Sequence, residues 1–108
     1  MYKKIKNIIE DFSQESKKLL QDNLVAEYLF GSVSRSETEE YSDIDILIIV
    51  KKFNYQIRES LSNLSSEYSI NHGIYISPIL KDIKTWELNK SHHTLFYQEI
   101  KRDGIRLC

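Results

Sequence analysis

Ile5, Ile8, Ile9, Phe12, Leu19 and Leu20 recur at helical spacing with Lys and Glu on the intervening faces, which predicts an amphipathic helix from residue 3 to about 21. Residues 25–30 then read as a strand ending at Gly31, where a residue without Cβ permits a sharp turn and close approach of a ligand. Ser32 is placed to cap a short helix. Residues 36–42 are polar without apolar periodicity and read as a loop. Residues 44–50 are apolar and mostly β-branched apart from Asp45 near the start, the pattern of a strand buried on both faces.

The second half alternates in the same way. Asn54 is a candidate cap for a helix whose Ile57, Leu61, Leu64 and Tyr68 share one face. Gly73 opens a third strand over residues 74–79, and Pro78 predicts an edge position or a strand end. Asp82 is placed to cap a short helical turn through Trp86. Ser91 is placed to cap a last helix, from about 92 to 102, that buries Leu95, Phe96 and Ile100 and stops near Gly104. The order of elements predicts an α/β domain, a small mixed β-sheet with flanking helices, occupying residues 1–108 as a single unit.

Composition narrows the function more than the fold. At 108 residues the chain can bury one core, and no linker, repeat or low-complexity tract divides it. Fifteen Lys and Arg against 16 Asp and Glu leave a net charge of -1, which gives no basis for bulk binding of nucleic acid or of an anionic membrane. Any affinity for phosphate must be local. Cys108, the lone cysteine, rules out an internal disulfide and a cysteine zinc cage, and reads as an incidental thiol. With no signal-peptide pattern and no apolar run of spanning length, a soluble, cytoplasmic protein is expected.

The chemistry concentrates in residues 29–50. Asp43 and Asp45 stand two apart at the entrance of a strand, so both carboxylates point to one side, about 6.6 Å apart at Cα. Such a pair calls for a cation, and Mg²⁺ is the natural candidate. Gly31 and Ser32 lie where a strand hands over to a helix start, whose free N–H groups and dipole favour an anion. Arg35, one helical turn after Ser32, can reach the same phosphates. Together with Ser42, which precedes the acid pair, these parts amount to a nucleoside triphosphate site.

Competing patterns fit less well. In an aspartate-nucleophile phosphatase the apolar strand precedes the acid pair, whereas here it follows. A glycosyltransferase needs a far larger domain. An EF-hand loop would need ligands where Leu47 and Ile49 stand, and no Walker A sequence occurs. His92 and His93 are adjacent, hence about 100° apart on a helix and unable to share a metal as an i, i+4 pair does. They read as surface residues. His72 reads as a turn residue and Trp86 as core. Tyr41 is a candidate for stacking on a base, and Glu37, Glu39 and Glu40 as a solvated loop.

Gly31-Ser32-Val33-Ser34-Arg35, a polar gap, and Ser42-Asp43-Ile44-Asp45 opening an apolar strand resemble the signature of the minimal nucleotidyltransferases of the DNA polymerase β superfamily. Phe96-Tyr97-Gln98-Glu99-Ile100 and Asp103-Gly104-Ile105-Arg106-Leu107 are similar to the final helix and closing strand of such proteins. The resemblance implies a polymerase β-like core that binds Mg-ATP and transfers a nucleoside monophosphate, commonly AMP, to a hydroxyl on a protein or small molecule, releasing pyrophosphate. It implies Asp43 and Asp45 as metal ligands and catalytic residues, Gly31 and Ser32 as holders of the triphosphate, and Arg35 as an assistant.

Active members of the family carry a third carboxylate on the following strand. Here that place falls at Ser77, while Asp82 and Glu67 stand nearby in sequence. The resemblance therefore also accommodates an alternative, an antitoxin-type binding subunit that has lost turnover and neutralises a helical HEPN-domain partner. A homo-oligomer is compatible with the sequence as well. A stand-alone polymerase is not, because the chain lacks a basic channel for primer and template.

Overall fold

A computed structural model describes residues 3–31 and 43–108. The chain runs through α1 (Lys3–Leu20), a 3₁₀ turn (Gln21–Asn23), β1 (Leu24–Phe30), β2 (Ile44–Val50), α2 (Tyr55–His72), β3 (Ile76–Asp82), α3 (Ile83–Ser91), α4 (Leu95–Asp103) and β4 (Ile105–Arg106). The sheet order is β3-β2-β1-β4. β1 pairs antiparallel with β2 and with β4, and β2 pairs parallel with β3, so the sheet is mixed as expected.

The near-continuous apolar run of β2 is explained by its place between β1 and β3, covered on both faces. Alternation splits its side chains between two cores. Ile44, Ile46, Ile48 and Val50 join Ile8, Ile9 and Phe12 of α1 and Leu61 and Tyr68 of α2. Leu47 and Ile49 turn the other way, to Ala26, Phe30 and Ile100, with Trp86 of α3 and Phe96 of α4 packed on them. Each fully buried Ile or Leu stabilises the fold by roughly 1.5–3 kcal/mol relative to exposure.

Helix α2 crosses between the parallel strands β2 and β3 and is fixed at both ends. The Asn54 side chain accepts from Ile57 N–H at 2.8 Å, and Gly73 adopts φ 66°, its N–H donating to Ser69 O at 2.9 Å. Gly73 is thus the left-handed C-cap of α2, with two residues between it and the strand. The hydroxyl of Ser65 donates to the carbonyl of Ile76, tying α2 to the first residue of β3.

Four expectations shift. The third strand covers Ile76–Asp82, not residues 74–79, because pairing with the whole of β2 carries it past Pro78. The helix after Asp82 extends over nine residues to Ser91; Asp82 does cap it, accepting from Thr85 N–H at 2.7 Å. Ser91 consequently ends a helix instead of capping one. Thr94 caps α4, following a turn in which His93 takes φ 47°, and Leu95 is 84% exposed, so Phe96 and Ile100 carry the apolar contact without it.

Glu27 of β1 is fully buried, on the α1 side. Ser13 and Ser16 of α1 donate to its two carboxylate oxygens at 2.8 and 2.5 Å. Its backbone exchanges bonds with the end of the chain, Glu27 N–H to Cys108 O at 3.1 Å and Leu107 N–H to Glu27 O at 2.8 Å.

Candidate functional site

Asp43 and Asp45 flank Ile44 at the start of β2. The Ile44 side chain is sealed in the α1–α2 core and its N–H donates to Tyr75 O at 3.0 Å, so the strand entrance is fixed on two sides. Alternation then turns Asp45, with Asp43 just ahead of the strand, toward the opposite face, the one that carries Leu47 and Ile49. Asp43 is exposed and Asp45 half-buried.

Gly31 follows β1 with φ +80°, and Phe30 before it is the cross-strand partner of Asp45. A Cβ at residue 31 would collide with Oδ2 of Asp45. Glycine is therefore required twice, for the left-handed backbone and for the space in which the carboxylate rests against the turn. Desolvation, then Asp43, then Glu99 push the Asp45 carboxyl above its ordinary pKa. A carboxylate in that setting is relieved by a cation.

Glu99, which sequence reasoning did not single out, adds to the negative charge around Asp45. It lies on α4, which is seated by Ile100, buried in the core, and by Phe96, whose ring meets Phe30 edge-on at 5.5 Å between centroids. Glu99 sits one turn beyond Phe96, and this seating brings it into the electrostatic environment of Asp45. Helical spacing in Phe96-Tyr97-Gln98-Glu99-Ile100 was the only available signal, and it does not say which end of the sheet the helix covers.

Ser77 stands directly beside Asp45 on β3. Neither alternative acid comes near. Asp82 pairs with Val50 at the far end of the strand, about 16 Å from Ser77 at 3.3 Å per residue. Its carboxyl is held below the ordinary range by hydrogen bonding to Thr85, in keeping with its cap role. Glu67 is exposed on α2, which covers the opposite sheet face. His72 stacks near Tyr68, and His92 and His93 are exposed in the turn after α3. Trp86, expected as core, is half-buried and packs edge-on against Phe96 on the outside of the second core. Ser32, Arg35 and Ser42, expected to hold the nucleotide, lie outside the described residues, as do Tyr41 and the loop acids.

Among the described residues, no group of three or more His, Cys, Asp or Glu side chains is arranged to hold a metal ion. Two hard carboxylates on one sheet face, beside a turn cleared of Cβ, nevertheless suit Mg²⁺, which is commonly held by one or two carboxylates with substrate phosphates and water completing its shell.

Comparison with known proteins bears on the family and the fold. The family model described as polymerase beta, nucleotidyltransferase matches residues 3–108. Two Methanocaldococcus jannaschii proteins that carry the name protein adenylyltransferase are similar in sequence. One is 32% identical over 101 residues, 93% of this chain and 95% of the relative. The other is 38% identical over 81 residues, 72% of this chain but only 55% of that longer protein. Among solved structures, a chain in a toxin–antitoxin crystal structure with AMP-PNP superposes with a TM-score of 0.63 at 20% identity, covering 92% of this chain and 72% of that one. A chain in a Shewanella oneidensis structure of a tri-AMPylated HEPN toxin with MNT antitoxin superposes with a TM-score of 0.56 at 20% identity, covering 94% and 71%. The likeness to these structures is one of fold, while the sequence matches along nearly the whole chain place it in a family: this chain belongs to the polymerase β nucleotidyltransferases.

Proposed function

We propose that this chain is a Mg²⁺-dependent adenylyltransferase that modifies a hydroxyl on a partner protein. The observation that carries this reading is the pair Asp43 and Asp45, turned to one sheet face, with Asp45 seated against the Cβ-free turn at Gly31. Asp43 and Asp45 would hold Mg²⁺, which would supply positive charge to offset that of the phosphates. By the family resemblance, Gly31 and Ser32 cradle the triphosphate, Arg35 neutralises charge developing on the leaving group, and Ser42 assists in binding the nucleotide. The acceptor oxygen forms a bond to the α-phosphorus, the bond from that phosphorus to the β-phosphate bridge breaks, pyrophosphate leaves, and the hydroxyl proton passes to water.

ATP as donor and a protein as acceptor are supported by the names of the two archaeal relatives. A HEPN-type partner is supported by the AMPylated toxin in the Shewanella oneidensis complex. Ser77 beside Asp45 favours a second reading, in which the chain binds Mg-ATP and its partner without turnover.

Co-expression with a helical HEPN protein followed by intact-mass measurement separates the two. The first reading expects AMP added to the partner by the wild type and none by Asp43→Asn/Asp45→Asn. An unmodified partner that still co-purifies with a chain binding Mg-ATP would favour the second. Equal binding of Mg-ATP by wild type and double variant would remove the proposed site altogether.

A further inference from the structure

Strand β3 forms one edge of the sheet, and a groove of about 470 Å³ runs along it. Arg58 and Ser62 of α2 line the groove with Tyr75, Ser77 and Leu80 from β3 and its approach, and Phe53 lines it too. Ser77 therefore borders both this groove and Asp45, its partner across the strands.

The hydrogen-bond parity of the edge is fixed by one contact. Ile44 N–H donates to Tyr75 O while Ile44 registers with Ile76, so odd-numbered residues of β3 bond to β2 and even-numbered ones point away. The outward carbonyl of Ile76 is taken by Ser65. Pro78 has no N–H and falls on an outward position, where the ladder loses nothing. What the edge presents beyond Ile76 is thus the carbonyl of Pro78 and both backbone groups of Leu80, in the geometry that accepts an added strand.

Charge is distributed along the same line. Because Ser65 meets Ile76 and α2 runs back past β3, Arg58, seven residues before Ser65 and about 10 Å away along the helix, lies level with the Leu80 end. Ser77 and Leu80 are three residues apart, also about 10 Å in a strand. The groove accordingly has a cation at one end and the carboxylates of the candidate site at the other.

We propose that this groove is the acceptor site: an extended polypeptide segment pairs with the outward groups of Pro78 and Leu80, sets the hydroxyl side chain to be modified beside Ser77 and Asp45, and places an acidic side chain three residues away against Arg58. The assignment rests on the adenylyltransferase reading and adds to it the shape and charge of the acceptor. Serine at position 77 acquires a role in this arrangement, since a small neutral side chain leaves the entry beside Asp45 open.

The test is an amide chemical-shift titration of the full chain with two synthetic peptides, Glu-Val-Thr-Tyr-Thr-Val-Glu and its counterpart with Lys at both ends. Either strand direction then puts the end charge three residues from the tyrosine. The Glu peptide should shift the Leu80 amide and bind on the order of tenfold more tightly than the Lys peptide, the size of one charge-assisted contact. Arg58→Glu should invert that ranking, and backbone N-methylation of the peptide should abolish binding. Equal affinities in the wild type, an unchanged ranking in R58E, or shifts explained by two copies joining through their β3 edges would overturn the proposal. Binding of a non-hydrolysable ATP analogue with Mg²⁺ is measured separately by calorimetry, so failure of the nucleotide site and failure of the groove are read independently.

Discussion

Removing the Ser16 hydroxyl should destabilise the fold, and more at pH 7 than at pH 4.5. Ser16 and Glu27 are both 0% exposed, with the hydroxyl 2.5 Å from one carboxylate oxygen while Ser13 holds the other at 2.8 Å. A hydrogen bond to a charged buried group contributes about 1.5–3 kcal/mol, and to a neutral one about 1 kcal/mol. Where Glu27 is ionised, Ser16→Ala should therefore lose roughly 2 kcal/mol, a large share of the roughly 5–15 kcal/mol that stabilises a domain.

The pH dependence follows from the direction in which the Glu27 pKa is displaced. Burial raises it above 4.5, and the bonds from Ser16 and Ser13 lower it back in part. A carboxyl whose folded pKa lies above its unfolded one contributes stability that is present below the unfolded pKa and is lost as pH rises through the folded value. Deleting Ser16 removes a lowering influence, so the folded pKa rises further and the loss on going from pH 4.5 to 7 deepens. Urea unfolding of wild type, Ser16→Ala and Glu27→Gln at the two pH values measures this directly, and subtracting the wild type cancels the other titrations. Glu27→Gln should flatten the dependence. A Ser16→Ala penalty that is equal at both pH values, or larger in acid, would refute the account.

Gly31→Ala should destabilise by about 1–2 kcal/mol through the left-handed backbone and also displace the Asp45 carboxylate, so Mg-nucleotide affinity should fall with the melting temperature; intact affinity by calorimetry would contradict the role given to this turn. Ser77→Asp, which places a third acid beside Asp45, should tighten divalent-cation binding on the order of tenfold through added ligand charge while lowering metal-free stability, and unchanged affinity would show that position 77 does not face the pair.

What could be read in the sequence was whatever local chemistry determines. The β-branched run of β2 identified a central strand, Pro78 an edge, and Asn54 a helix cap, because in each case one property of the side chain or the imide ring limits the options. Ser77 was singled out through the family resemblance, as the place of a third carboxylate, and the strand register sets it beside Asp45. The start of α4 was not legible. Ser91 and Thr94 are both good caps, and the choice fell to Thr94 because α3 continues to Ser91 and the chain then turns at His93 with positive φ. Glu27 and Glu99 could not be assigned from spacing at all: one is significant because two serines 11 and 14 residues away meet it, the other because its helix, seated by the Phe30–Phe96 ring contact, brings its charge into the surroundings of Asp45.

The division of β2 between two cores has a consequence for how this chain can change. Four of its side chains are committed to one helical layer and two to the other, while Asp45 shares the second face. Inserting or deleting a single residue inside the strand would exchange the faces, driving the acid into the layer beneath α1 and α2 and turning the isoleucines that belong there toward α3 and α4. Substitutions among aliphatic residues can accumulate in β2 while its length stays frozen, so drift in this protein is free in composition and closed in number along the strand that carries its chemistry.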